Sequence, residues 1–241
     1  VGRDVIYRTG AAHGKRVQAQ CGAKNFLVVT PDADLELTVS SLMSSFFGNT
    51  GQRCLAGANL VFVGDDHAFI DKTLGVIKER AAALKLGYGL EEGVQMGPLQ
   101  AEPRKRRVVG YIETGLKEGA KLTMDGREYR CDPYPETCFL GPSIFEGVSL
   151  DMAIAREEIF GPVMSVLTAE NLDDAIEMIN SLSYGNAASI FTTNGGTARR
   201  FQYDVKCGNI GVNIGTAAPM AFFPFSGMKD SFFGDLHGQG R

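Results

Sequence analysis

The feature that most limits what this chain can fold into is the regular alternation of short apolar runs with longer amphipathic ones. Asn25-Phe-Leu-Val-Val-Thr30 is rich in β-branched and aromatic residues and reads as a strand. Pro31-Asp-Ala-Asp34 follows as a helix-entry signal, and Leu35 to Phe47 reads as a helix that stops before Gly48. Asn59-Leu-Val-Phe-Val63 is the next strand, after which Asp65 and Asp66 open an amphipathic helix running to about Leu84. A third helix is predicted over Pro103 to Leu116. Val163-Met-Ser-Val-Leu167 is strand-like, and Asn171 caps a helix with Asp173 and Asp174 in its first turn, where the helix dipole favours acids. Leu172, Ala175, Ile176, Ile179 and Leu182 then form one core-facing stripe. Ala187-Ala-Ser-Ile-Phe191 is a strand, Thr197 to Val205 a helix, and Asn209-Ile-Gly-Val-Asn213 a strand again. Such a series implies βαβ units, and hence an α/β fold with a mostly parallel sheet covered by helices on both faces.

Composition narrows the partners. Of the 241 residues, 44% are hydrophobic, which is enough to bury a real core and excludes a disordered chain. A formal net charge of −4 leaves no basic excess to neutralise phosphates, so no nucleic-acid partner is expected. The basic run Arg104-Lys-Arg-Arg107 is read as a solvated helix face. Five thinly spread cysteines, an odd number, argue against a disulfide framework and for a reducing compartment, the cytoplasm or a mitochondrial matrix. His13, His67 and His237 lie far apart and no Cys/His pair has zinc-ligand spacing, so no metal is expected. Gly208 to Met228 is free of charge, but Asn209, Asn213, Pro219 and Pro224 make a buried, irregular stretch the expectation there rather than a membrane span.

Three stretches carry candidate chemistry. In Gly48-Asn-Thr-Gly-Gln-Arg-Cys-Leu-Ala-Gly57, a cysteine sits among glycines between a helix and a strand. Glycines let a substrate approach the backbone, and the amide of Cys54 could face an oxygen on the carbon its sulfur attacks. Arg53 could stabilise the thiolate, the reactive form. From spacing alone a small buried hydrophobe remains the competing reading of Cys54. In Glu157-Glu-Ile-Phe-Gly-Pro162, two carboxylates could hold ribose hydroxyls and Phe160 offers a flat ring; solvated acids entering a strand are the plainer alternative. Gln20-Cys-Gly-Ala-Lys24 ends a short strand on a glycine turn and says little by itself.

Taken together and in this order, Gln-Cys-Gly-Ala-Lys-Asn, Gly-Gln-Arg-Cys and Glu-Glu-Ile-Phe-Gly-Pro-Val resemble the aldehyde dehydrogenase superfamily. The resemblance extends over Pro31-Asp-Ala-Asp34, Met96-Gly-Pro-Leu99 and Phe223-Pro-Phe-Ser-Gly227. Gly22-Ala-Lys-Asn25, Gly51-Gln-Arg-Cys54, Tyr184-Gly-Asn186 and Gly211-Val-Asn213 look like the methylmalonate-semialdehyde dehydrogenases, the branch that acylates coenzyme A. The resemblance implies NAD as cofactor and Cys54 as the nucleophile that carries a thioester. It implies that Glu158 binds the nicotinamide ribose with Phe160 beside the ring, and that Val1 and Gly2 end a cofactor-binding turn. Gln20 stands where hydrolytic members have a glutamate base; an amide has no useful basicity near neutral pH, which favours release to coenzyme A over water. In the branch itself an asparagine is the residue expected there. A substrate carboxylate needs a cationic or N–H partner, for which Arg53 is a candidate, support of the Cys54 loop or pairing with a nearby acid being its other reading; Phe225 is a candidate wall of the substrate channel, or else part of the core.

By the same resemblance, residues 1–22 are the end of an NAD-binding domain and 23–241 a catalytic domain, with an oligomerisation strand expected beyond 241 and a homo-oligomer as the assembled state. Read so, the 241 residues are an internal fragment, expected to be inactive by themselves. Three other readings stay open: a hydrolytic aldehyde dehydrogenase, a catalytically silent scaffold and a cysteine hydrolase, the last disfavoured because no histidine lies in a comparable motif.

Overall fold

The computed structural model describes residues 2–131, 134 and 138–234. A π-type helical turn, Gly2–Tyr7, runs into α1 (Arg8–Ala12), followed by β1 (Gln18–Gln20) and β2 (Asn25–Val29). Then come α2 (Leu35–Phe47), β3 (Gly57–Val63), α3 (His67–Ala82), α4 (Glu102–Lys117), β4 (Lys121–Met124), β5 (Ser143–Glu146) and α5 (Ala153–Arg156). The chain continues through β6 (Val163–Ala169), α6 (Leu172–Ser181), β7 (Tyr184–Gly185), β8 (Ala187–Phe191), α7 (Gly195–Asp204), β9 (Asn209–Val212), β10 (Met228–Lys229) and β11 (Phe232–Gly234).

Among the described residues, seven strands make one sheet in the order β4-β5-β6-β3-β2-β8-β9. Every neighbouring pair is parallel except β4 with β5. All five residues of β2 are buried, as a strand covered on both faces requires. Its pleat divides them: Phe26 and Val28 join the core under α4, α5, α6 and α7, while Leu27 and Val29 join the core under α2 and α3. The α/β expectation therefore holds. β1 and β11 form a separate antiparallel ribbon, as do β7 and β10.

The helix starts are set by caps. Asp34, Asp66 and Asn171 each accept a hydrogen bond from an N–H in the first turn, of Leu37, Phe69 and Asp174. Asn194 does the same for Gly196 and Thr197, so α7 begins at Gly195 rather than at Thr197, the cap outweighing two glycines of poor helix propensity. The amphipathic helix after Asp66 ends at Ala82, and β6 runs on to Ala169.

The stretch from Gly208 to Met228 corrects the sequence reading in part. It is irregular after β9, but it is not uniformly buried: Met220, Phe222 and Phe223 are exposed, Phe222 to 80%. No described helix is long and apolar enough to cross a membrane.

Candidate active site

The amino ends of the parallel strands lie along one edge of the sheet, and the three stretches of candidate chemistry all enter strands there. Ala23 and Lys24 lead into β2, Cys54 leads into β3, and Glu158 to Pro162 lead into β6. Residues of these three loops line one pocket: Lys24, Asn25, Gly51, Arg53, Cys54, Glu158, Phe160 and Gly161 among them. A larger groove of about 960 Å³ opens at the opposite edge, beyond β3 and β6, lined by Gly64, Asp65, His67, Glu170 and Asp174. It contains no cysteine or lysine, and among the described residues no group of three or more His, Cys, Asp or Glu could hold a metal ion.

The Cys54 loop is pinned through its carbonyl. Asn25 Nδ2 donates to the carbonyls of Cys54 at 2.8 Å and of Ala56 at 2.7 Å, while Asn25 Oδ1 accepts from the Ala187 N–H at 3.1 Å. Asn186 Nδ2 adds a second donor to the Cys54 carbonyl at 2.7 Å. Asn209 Nδ2 in turn donates to the Asn186 carbonyl at 3.0 Å and the Ser226 carbonyl at 2.9 Å. One asparagine at each of three successive strand entries thus fixes the loop that carries the sulfur.

The Cys54 loop and the Glu158 loop touch at glycine. Gly51 has φ +66°, and a Cβ built on it would lie 2.2 Å from the Gly161 carbonyl oxygen. No other residue fits, on both conformational and steric grounds. Gly161 is in turn pressed against Val108 of α4. Phe160 has φ +61° and is 39% exposed, an unusual backbone for a bulky residue, and it lines the same pocket as Cys54.

The electrostatics follow from partial enclosure. Cys54 is an exposed residue, yet its thiol sits against the pocket wall, and that burial pushes its pKa up. The N–H groups of Cys54 and Leu55 pull it down, and the Glu158 charge raises it further. At neutral pH the thiol therefore rests mostly protonated. Burial also raises the pKa of the Glu158 carboxyl, opposed by the charges of Arg107 and Lys24 and by the Ala23 N–H. The two adjacent acids are separated in role. Glu157 accepts from the Tyr111 hydroxyl at 2.6 Å, and Glu158 alone lines the pocket.

Two sequence expectations shift. Arg53 does not turn its guanidinium to the thiolate; Nη2 donates to the Ser44 carbonyl and, at 3.3 Å, to that of Ser45, bracing the loop against the last turn of α2. The basic run is not wholly a solvated face either. Arg107 donates to the Glu158 carbonyl at 2.9 Å and to the Tyr111 hydroxyl at 3.2 Å, holding the acidic loop in place. Gln20, at the end of β1, donates through Nε2 to the Phe225 carbonyl at 2.7 Å. Phe225 is half-buried there while Phe223 is 61% exposed. Gly2 opens the first helical turn, and Val1 lies outside the described residues. Lys24, Asn25, Asn186 and Arg107 had no assigned role from sequence, although Lys24, Asn25 and Asn186 lie within the quoted motifs.

The aldehyde dehydrogenase family model matches residues 1–241, and the chain belongs to that family. Malonate-semialdehyde dehydrogenase 1 of Geobacillus thermodenitrificans is 47% identical over 237 residues, which are 98% of this chain and 48% of that protein. A malonate-semialdehyde dehydrogenase of Listeria monocytogenes is 46% identical over 99% of this chain and 48% of its own length. Among solved structures, the methylmalonate-semialdehyde dehydrogenase of Oceanimonas doudoroffii superposes with a TM-score of 0.93 at 37% identity, covering 98% of this chain and 48% of that one. Betaine aldehyde dehydrogenase of Staphylococcus aureus in complex with NAD+ gives a TM-score of 0.90 at 27% identity, over 98% and 46% of the two chains. The chain spans about half the length of the curated relatives it matches.

Proposed function

We propose that this chain is the catalytic part of an NAD-dependent dehydrogenase that oxidises a short aldehyde bearing a carboxylate, of the malonate or methylmalonate semialdehyde kind, and passes the acyl group to coenzyme A. The observation that carries the reading is the placing of Cys54 in one pocket with Glu158 and Phe160, its loop held by Asn25 and Asn186. The names of the similar proteins support the substrate class. Residues 1–22 read as the end of a cofactor-binding domain and 23–241 as the catalytic domain, with a homo-oligomer as the working form.

The residues present fit the nicotinamide end of the cofactor: a carboxylate acceptor at Glu158, a part-exposed aromatic at Phe160 and a neighbouring thiol. NAD bound there supplies the acceptor for the two electrons removed from the aldehyde. The thiolate fraction of Cys54, its proton released to solvent, forms the carbon–sulfur bond to the aldehyde carbon and afterwards holds the acyl group as a thioester. The backbone N–H of Cys54, which acts on its own sulfur in the free site, is the proposed donor to the substrate oxygen as negative charge develops on it. Gln20 cannot take a proton from water, and its amide is already engaged with the Phe225 carbonyl. Transfer to the thiol of coenzyme A, with a pKa of about 8.5 against nearly 16 for water, needs no such base and returns Cys54 as thiolate. Arg53 and Phe225 are the candidate contacts for the substrate's far end. Arg53 lines the pocket while braced on α2, and Phe225 is held next to Gln20 by its carbonyl.

Product analysis of the full protein with malonate semialdehyde and NAD, with and without coenzyme A, tests the proposal. Acyl-CoA formed rapidly, with free acid at least about 100-fold slower in its absence, is expected. Free acid at full rate without coenzyme A identifies a hydrolytic enzyme instead.

A further inference from the structure

Lys24 is 3% exposed, yet its Nζ has no hydrogen-bond partner among the described residues. A buried ammonium without a partner is costly, so such a group is expected to face an anion or a ligand. It lies one residue before Asn25 and lines the pocket of Cys54, Glu158 and Phe160. The charges acting on it are those of Glu158 first and Glu157 second. Glu157 is already engaged by the Tyr111 hydroxyl, which leaves Glu158 as the anion Lys24 serves. The other titratable groups around this pair are Arg107 from α4, Cys54 on its loop, and Tyr184 with Cys21 on the β7 side. Arg107 acts on the Glu158 charge more strongly than Lys24 does, but its Nη2 is engaged by the Glu158 backbone carbonyl and the Tyr111 hydroxyl, so Lys24 is the cation in the pocket that has no hydrogen-bond partner of its own among the described residues.

We infer that Lys24 is a positioning residue: its buried ammonium, sharing the Cys54 pocket with Glu158, helps to keep that carboxylate ionised, so that it can accept hydrogen bonds from the vicinal diol of a ribose. The inference rests on the reading of Glu158 as the ribose-holding group. Burial works against both partners, raising the carboxyl and lowering Lys24 to about 7, and each charge offsets the penalty on the other. Below that value Lys24 is charged and pulls the Glu158 carboxyl down; above it Lys24 is neutral and gives the carboxylate no such help.

The test is calorimetric titration of the full protein with NAD between about pH 6 and pH 9, for Lys24→Met, Lys24→Arg, Glu158→Gln and the double variant Lys24→Met/Glu158→Gln. A nearby opposite charge moves a carboxyl by about one to three pKa units. Lys24→Met is therefore expected to bind NAD about tenfold more weakly at the acid end and to converge on the parent at the alkaline end. Lys24→Arg restores the acid-end affinity, and in the Glu158→Gln background Lys24→Met has no further effect. Wild-type affinity and pH profile in Lys24→Met overturn the inference. So does an equal loss in both backgrounds, which shows a merely structural role. Unchanged affinity in Glu158→Gln is a separate failure, because it removes the ribose role of Glu158 itself.

Discussion

Asn25 is the residue on which the position of the sulfur most depends, and replacing it with alanine tests the architecture at one point. The side chain is buried and makes three hydrogen bonds, two donated to the Cys54 and Ala56 carbonyls and one accepted from the Ala187 N–H. A net value of about 1 kcal/mol for each gives about 3 kcal/mol, and each buried backbone group left without a partner adds about 1–3 kcal/mol. The Cys54 carbonyl keeps its bond from Asn186, so it adds little to that penalty. The Ala56 carbonyl and the Ala187 N–H are left without that partner, so the expected loss is about 5–9 kcal/mol, a large share of the 5–15 kcal/mol typical of a folded domain. Asn186→Ala, which deletes one of the two donors to the same carbonyl, is expected to cost about 1 kcal/mol. Urea unfolding of the full protein, followed by circular dichroism, measures both. Iodoacetamide labelling of Cys54 against pH reports the loop directly, and loosening it in Asn25→Ala brings the thiol back toward an ordinary cysteine. If Asn25→Ala costs no more than Asn186→Ala and leaves the labelling profile unchanged, the clamp is not what holds the Cys54 loop.

Two further outcomes follow from the same pocket. Gly51→Ala drives a methyl group into the Gly161 carbonyl and strains a left-handed backbone, so it should separate the two loops and lower kcat/KM at least about 100-fold, as steady-state kinetics would show, with secondary structure by circular dichroism intact. Glu158→Gln should lower the pH midpoint of Cys54 alkylation, because the charge that raises the thiol is gone. The same substitution should stabilise the fold at neutral pH. A carboxyl whose folded pKa is raised weakens the fold above that pKa, and the penalty fades as pH falls through it to the unfolded value, so the gain seen in urea melts should vanish in acid.

Much of this was legible in the chain itself, and the reasons differ by residue. β2, β3, β6 and β8 could be read because strands buried on both faces must be continuously apolar, and α2, α3 and α6 because their caps are local in sequence. β4 and β5 were not anticipated; each is only four residues long, and Lys121-Leu-Thr-Met has no clear alternation. Cys54 and Glu158 stood out through their glycine-framed motifs. The work of Asn25, Asn186 and Asn209 did not, because a polar side chain's partner across the sheet is fixed by strand order, which no local pattern encodes. The acceptors of Arg53 and Arg107 are hidden from the sequence for a related reason. A guanidinium beside a candidate nucleophile or on an exposed helix has long reach, and in each case a backbone carbonyl of a neighbouring element was the available acceptor. The exposed aromatics at Phe222 and Phe223 likewise defeat a rule that equates an uncharged run with a buried one.

The central claim is that Cys54 carries the acyl group during turnover. Mass spectrometry of the full protein, quenched in acid while it oxidises malonate semialdehyde with NAD and without coenzyme A, tests it most directly. The account predicts an acyl adduct on the peptide containing Cys54 that disappears when coenzyme A is added. An adduct on Cys21 or another residue, or turnover with Cys54 unmodified, contradicts it.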